Sequence, residues 1–83
     1  MPPQAWHWRA NGEAEVDLVF ERDGKLYPIE VKCKTNLTGH DAQGIRAFRE
    51  TYGDKVQPGL IVYAGTRIYK VTEHASAVPW NAR

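Results

Sequence analysis

Two acidic residues and a lysine with the spacing of a hydrolytic metal site occur in the first half of this sequence. Asp17 precedes Glu30, and Lys32 follows Glu30 with one residue between them. Carboxylate oxygens bind hard divalent cations such as Mg²⁺, and a nearby lysine can orient or deprotonate an attacking water or stabilise the charge that builds on a phosphate. A metal, paired carboxylates and a lysine suffice for phosphodiester hydrolysis. Whether these side chains meet depends on the elements that carry them.

A β-hairpin is the element that would bring them together. Residues 15–22 and 25–34 each alternate polar with apolar side chains, and Asp23-Gly24 between them is a strong signal for a two-residue hairpin turn. This turn pairs Arg22 with Lys25 and builds one continuous apolar face, which supports the register because a slip of one residue would scatter that face. The apolar face, which we expect to be buried, holds Val16, Leu18 and Phe20 opposite Val31, Ile29 and Tyr27.

The polar face of the same hairpin sets Asp17 directly opposite Glu30, and Glu15 opposite Lys32. Directly opposed side chains lie about 5 Å apart at Cβ, and like charges at that distance destabilise a hairpin unless one takes up a proton or a cation binds. A Glu-x-Lys strand is commonly just a solvated sheet face, and Glu15 with Lys32 has an alternative explanation as a cross-strand salt bridge. The opposed Asp17 and Glu30 have no such structural explanation, and they favour a site for Mg²⁺ or Mn²⁺.

The rest of the chain predicts an α+β fold, in which a mixed sheet is crossed by one helix. By the handedness rule, that helix returns the chain so that the following strand lies parallel within the sheet. The predicted elements are a first strand over Ala5–Arg9, a helix over Asp41–Tyr52 that ends at Gly53, a buried strand over Leu60–Tyr63, a β segment over Arg67–Thr72 and a short strand through Val78.

Length and composition restrict the class of protein. Eighty-three residues predict a single domain, and 42% hydrophobic with 25% charged residues is ordinary for a soluble globular protein. No apolar run approaches the ~20 residues that span a bilayer, so we expect no membrane partner. A single cysteine, Cys33, cannot form an internal disulfide, which indicates a reducing, cytoplasmic compartment. We expect Cys33 to be buried, because it follows Ile29 and Val31 at intervals of two residues and therefore points to the same face of the strand.

The remaining chemically interesting side chains have structural interpretations. The three histidines show no metal-ligand spacing, and we expect the three tryptophans to pack in the core or at an edge rather than stack on bases. The net charge of +1 does not indicate nucleic acid by itself. With Glu15, Asp17 and Glu30 engaged by a metal, eleven bases would face seven other acids, a mildly basic surface that is compatible with DNA.

At the level of motifs, Asp17 followed by Glu30-Val31-Lys32 matches the pattern of the PD-(D/E)xK nucleases. The chain more closely resembles the nuclease-like C-terminal domain of unknown function that occurs on bacterial and archaeal AAA-type ATPases. The segments that carry this resemblance are Trp8-Arg9, Gly12, 15–19, 28–32, 59–65 and Pro79-Trp80.

The resemblance implies a restriction-endonuclease-like sheet flanked by helices, in which Asp17 and Glu30 bind the metal and Lys32 is the catalytic lysine. It also implies the backbone carbonyl of Val31 as a further metal ligand. Glu15, Lys34 and Gln43 are second-rank site residues, Gln43 because related nucleases place a glutamine on this helix.

The chain departs from this pattern in two ways. Relatives have a helix before the first motif strand that contributes another acid, for which Glu15 or Glu13 could substitute here. The sequence also contains no phosphate-binding Gly-x-x-x-x-Gly-Lys motif, which predicts a C-terminal fragment or stand-alone remnant of a larger ATPase. The expected partners are therefore DNA, the ATPase domain or a second copy. The alternative function is an inactive nuclease-fold module for protein or nucleic-acid interaction.

Overall fold

A computed structural model of the chain, in which residues 4–10, 12 and 14–81 are described, contains a six-stranded mixed sheet with one helix packed on one face. The predicted α+β fold is therefore confirmed. The strands run in the order β1-β2-β3-β4-β6-β5 across the sheet. They are β1 (Gln4–Arg9), β2 (Glu15–Arg22), β3 (Lys25–Lys32), β4 (Gly59–Tyr63), β5 (Tyr69–Thr72) and β6 (Ala75–Pro79), and the helix is α1 (Gln43–Tyr52).

The predicted hairpin and crossover are both present. In the β2–β3 hairpin, Arg22 pairs with Lys25, Phe20 with Tyr27, and Leu18 with Ile29, which is the predicted register. The turn residues Asp23 and Gly24 have φ of 54° and 77°, the left-handed values that a tight hairpin turn requires. After the helix, β4 pairs parallel with β3, as the handedness rule predicted, and β6 pairs parallel with β4.

Helix α1 is shorter than predicted because its first turn is a separate 3₁₀ segment, Gly39–Ala42. The helix ends at Gly53, which has φ of 70° and whose N–H is bonded to the carbonyl of Arg49. With ψ of −138°, Gly53 has a backbone conformation that glycine, which lacks a Cβ, adopts without steric penalty. Among the described residues, no helix is long and apolar enough to cross a membrane.

The core lies between α1 and the face of the sheet beneath it. Ile45 and Phe48 of α1 are fully buried, and the ring of Phe48 meets the ring of Trp8 edge-on at 5.2 Å between centroids. One cluster joins Phe48 to Trp8, Val16, Val19, Leu26 and Val56, and a second joins Ile45 to Ala42, Ile61 and Ala75. The prediction that Trp8 packs in the core is confirmed, whereas Trp80 is exposed.

The prediction of which hairpin face is buried is wrong. Phe20 and Tyr27 are each 37% exposed and Val31 is 55% exposed, while Leu26 and Glu30 on the other face of β3 are buried. The reason is that α1 packs on the face that carries Leu26, and no described element covers the opposite face. Cys33 was also predicted to be buried, but it follows β3 and is exposed.

A β-bulge in β2 shifts the side chains next to the predicted site. Trp6 pairs with Val19 but Trp8 pairs with Val16, so β2 contains one more residue than β1 over this stretch. The extra residue puts Val16 and Val19 on the same face, where both are fully buried. Bulges re-aim side chains and interrupt pairing. Counted away from the turn, the regular β2–β3 pairing ends at Leu18 and Ile29, and Asp17 is the next residue of β2.

Candidate functional site

The predicted acids and lysine lie in one cleft, which is formed by the first residues of β2, the last residues of β3 and the start of α1. Its volume is about 350 Å³. The structure therefore brings Asp17, Glu30, Val31 and Lys32 together, with the second-rank candidate Gln43 at the helix side. The full lining is Ala14, Glu15, Asp17, Glu30, Val31, Lys32, His40, Asp41, Gln43 and Gly44.

The two carboxylates are held by backbone N–H groups of the opposite strand. The N–H of Asp17 donates to Oε1 of Glu30 at 2.9 Å, and the N–H of Val31 donates to Oδ2 of Asp17 at 2.8 Å. These bonds replace the regular pairing that stops at Leu18 and Ile29, so the two side chains bridge the strands instead of standing side by side. An ionised carboxylate has about four acceptor positions, so each retains capacity for a further partner.

Glu30 is in an unfavourable environment for a charge. It is only 4% exposed, and burial raises the pKa of its carboxyl above 4.5. The hydrogen bond from the N–H of Asp17 acts in the opposite direction, the negative charge of Asp17 raises the pKa further, and Lys32 lowers it. A buried carboxylate that faces a second carboxylate is stabilised by a cation.

These donors fit an open magnesium site. Mg²⁺ is usually bound by one or two carboxylates and completes its coordination with water and phosphate oxygens. Asp17 and Glu30 supply that number, and the described residues contain no group of three or more histidine, cysteine or acidic side chains placed to hold a metal. The N–H of Val31 donates to the carboxylate of Asp17. That the carbonyl of Val31 is a metal ligand stays a prediction.

Lys32 is oriented by Glu30. Its Nζ lies 3.6 Å from Oε2 of Glu30, and its side chain is about one-third exposed. The ammonium group is therefore anchored beside the carboxylates while part of it remains accessible from solvent. A charged donor in this position can interact with an anion that enters the cleft.

Asp41 is a cleft residue that the sequence analysis did not single out. Its carboxylate is buried, accepts the N–H of Thr38 at 2.9 Å and lies 3.0 Å from Nζ of Lys34. Burial raises the pKa of Asp41, but these two partners outweigh burial and hold it below its usual value. An acid three residues after a threonine at a helix start was the available signal. Lys34, a second-rank candidate, is thereby fixed near the cleft.

Glu15 directs its carboxylate away from the cleft. Oε2 of Glu15 lies 3.2 Å from Arg9 and 3.4 Å from His7. His7 and Arg9 stand on either side of Trp8 in β1, and successive side chains of a strand point to opposite faces. Because Trp8 is in the core, His7 and Arg9 lie on the opposite face of the sheet. The salt bridge between Glu15 and Lys32, which was the alternative explanation of that pair, is not formed, because Lys32 lies beside Glu30. Glu13, the other proposed substitute acid, is outside the described residues.

Gly44 allows α1 to approach the site closely. A Cβ at this position would overlap the backbone carbonyl of Glu15 and lie 3.4 Å from Oε2 of Glu30. We expect Gly44→Ala to destabilise the protein by about 1–3 kcal/mol, since the helix must move outward. Urea unfolding measures this, with Gly39→Ala as the control because its Cβ would meet no atom within 4 Å. Equal losses for the two variants would contradict close packing at Gly44.

Comparison with known proteins identifies a family without assigning an activity. No curated protein matches the chain, and no solved structure matches it. A family model described as a domain of unknown function, DUF4143, matches residues 1–82. Because this match covers nearly the whole sequence, the chain belongs to the DUF4143 family.

Proposed function

We propose that this domain hydrolyses phosphodiester bonds of DNA with the help of Mg²⁺, in the manner of the PD-(D/E)xK nucleases that its motif resembles. The observation that carries the proposal is the buried Glu30, which shares the cleft with Asp17 and lies 3.6 Å from Lys32. Burial of the Glu30 carboxylate beside Asp17 is unfavourable in a hairpin with only a structural role, because desolvation and the negative charge of Asp17 both raise the pKa of Glu30.

Each residue of the cleft has a distinct role in this proposal. Asp17 and Glu30 would hold the cation, which would supply Lewis-acid polarisation of a phosphate oxygen and activation of water. Lys32 orients the attacking water, or stabilises the charge on the phosphate, from its anchored position beside Glu30. Lys34 and Gln43 contact the substrate at the margin of the cleft. The cleft is open to solvent, which suits a polymer substrate.

The alternative is an inactive nuclease-fold module that binds a protein or nucleic acid. One observation favours it: Asp17 and Glu30 each accept a backbone N–H where the strands diverge, so both acids also stabilise the hairpin. In that case the carboxylates persist as scaffold. The two functions differ in their response to a divalent cation.

Cation titration is the test that separates them. We expect millimolar Mg²⁺ or Mn²⁺ to raise the Tm, since binding to the folded state alone stabilises by about 2.7 kcal/mol at one hundred times Kd. Asp17→Asn should remove this rise and should also remove cleavage of supercoiled plasmid DNA. Asp54→Asn is the matched control, because Asp54 is exposed in the turn after α1 and does not line the cleft.

Three results would count against hydrolysis. One is a Tm that does not respond to either cation, and a second is a response that Asp17→Asn leaves intact. Cation binding without any cleavage of single-stranded or double-stranded DNA would instead favour the inactive module.

A further inference from the structure

The face of the sheet opposite α1 is a contiguous apolar surface, here called the helix-free face. Directly paired residues share a face, and the pairs Leu18–Ile29, Phe20–Tyr27, Ile29–Leu60, Val31–Val62 and Val62–Val78 connect four strands. Trp80, which is 71% exposed, borders Val31 and Val62 at one end of it. An apolar surface of this extent on one side of a sheet marks an interaction site.

The rim of the helix-free face is predominantly basic. Arg22 and Lys25 are strand partners at the hairpin end of the surface, where Asp23 lies 3.9 Å from Arg22 and partly neutralises it, and Lys70 pairs with Ser76 on the β5 side. Arg9 lies on the β1 side, where Glu15 partly neutralises it. Lys25 and Lys70 have no acidic side chain within 4.0 Å among the described residues.

We propose that the helix-free face docks an amphipathic helix of a partner protein, with an apolar stripe on the sheet and acidic residues along the flanks of that stripe. The apolar residues bury the stripe, and the rim bases, chiefly Lys25 and Lys70, pair with the acidic flanks. Charge complementarity of this kind selects partners and orients them.

The dimensions of the surface fit a single helix. Neighbouring strands are about 4.8 Å apart, so the apolar strip from β2 to β6 is roughly 14 Å wide. A helix with its side chains is about 10–12 Å across. Polar edge strands bound the strip on both sides, with Arg9 on β1 and Lys70 on β5. A flat lipid surface would have to contact these edges as well as the apolar centre.

A second copy of the chain fits this surface less well than an acidic helix. Two copies stacked on this face present identical patches to each other. If their strands run in the same sense, the Arg22–Lys25 ends meet each other, and otherwise a basic edge strand meets its own copy. The first arrangement brings Lys25 near Lys25 of the other copy and the second brings Lys70 near Lys70 of the other copy, whereas an acidic partner helix gives each lysine an opposite charge.

Synthetic helices of defined charge test the proposal. The probes are three amphipathic peptides of about 18 residues with the same leucine stripe, flanked by glutamate, by lysine or by glutamine. Binding is followed through the fluorescence change of the exposed Trp80 and by calorimetry. We expect the glutamate-flanked peptide to bind at least ten-fold more tightly than the lysine-flanked one, with the glutamine-flanked peptide between them.

Substitutions on the two sides of the sheet locate the binding. Leu60→Lys should weaken binding of the glutamate-flanked peptide at least ten-fold, because it buries an unpaired charge in the apolar strip. Thr51→Lys is the matched control, since it adds the same charge on α1, and it should leave binding unchanged. The double variant Arg22→Glu, Lys25→Glu should reverse the preference between the glutamate-flanked and lysine-flanked peptides. Circular dichroism verifies that each variant is folded.

Several outcomes would overturn the proposal. They are equal binding of the three peptides, no binding of any peptide, and equal losses for Leu60→Lys and Thr51→Lys. Stronger binding to phosphatidylserine vesicles than to any peptide would assign the surface to a membrane. Sedimentation as a dimer that Leu60→Lys converts to a monomer would assign it to a second copy. Each of these results is independent of the cation response of the cleft on the other side.

Discussion

Replacement of Lys32 by alanine should slow DNA cleavage about 10²–10⁴-fold while the Mn²⁺-induced rise in Tm remains. Positioned acid–base groups and charge stabilisers contribute rate factors of this size. Lys32 is anchored to Glu30 but is not itself a ligand, and its removal takes a positive charge away from the carboxylates. We therefore expect cation binding to be unchanged or tighter. Plasmid cleavage measures the first effect, and thermal unfolding with and without Mn²⁺ measures the second.

The control for Lys32→Ala is Lys55→Ala, which removes one positive charge from the exposed turn after α1. It should cleave at the wild-type rate. Wild-type cleavage by Lys32→Ala would show that the lysine is only part of a solvated sheet face. Loss of both cleavage and folding would indicate that its ion pair with Glu30 stabilises the domain, and Lys32→Arg then tests whether charge alone restores activity.

Replacement of Glu30 by glutamine should stabilise the cation-free protein at neutral pH and abolish its response to Mg²⁺ and Mn²⁺. Burial raises the pKa of Glu30 in the folded state, so folding favours the neutral carboxyl. Above the folded pKa, the ionised side chain destabilises the protein relative to a neutral amide. Glutamine has nearly the same shape and can still accept the N–H of Asp17. We expect a rise in Tm of several degrees, since about 1 kcal/mol corresponds to 4–8 °C in a domain of this size.

The pH dependence of this variant has a definite sign. The contribution of Glu30 is most favourable below its unfolded pKa of about 4.5, where the carboxyl is neutral in both states, and it is lost as pH rises through the folded pKa. The advantage of Glu30→Gln should therefore vanish near pH 4, grow as pH rises above 4.5, and level off above the folded pKa. Glu50→Gln on the exposed side of α1 is the control for the loss of one carboxylate. A Glu30→Gln protein less stable than wild type at pH 7 without cation would mean that the charge itself maintains the fold.

The motif residues were predictable because a hairpin is a local structure. Asp23-Gly24 sets the turn, and the turn sets the register that brings Asp17 and Glu30 to neighbouring strands. Their hydrogen bonds were not predictable, because they form where the β2–β3 pairing ends. That end lies next to a bulge in the β1–β2 pairing, at which Val16 and Val19 are both buried beneath α1. Asp41 was missed because its partner Lys34 is brought to it by the loop before the helix.

The sequence by itself determined the secondary structure, the hairpin register, the parallel crossover and the convergence of Asp17, Glu30 and Lys32. These depend on turn chemistry, on the period of the apolar residues and on chain handedness, all of which act over short separations. Only the tertiary structure decided which face of the sheet is covered, and hence that Glu30 is buried while Tyr27 and Val31 are exposed. Both faces of β3 carry apolar side chains, so alternation alone does not select one. The choice depends on where Ile45 and Phe48 of α1 bury the most surface, which is a property of the packed molecule.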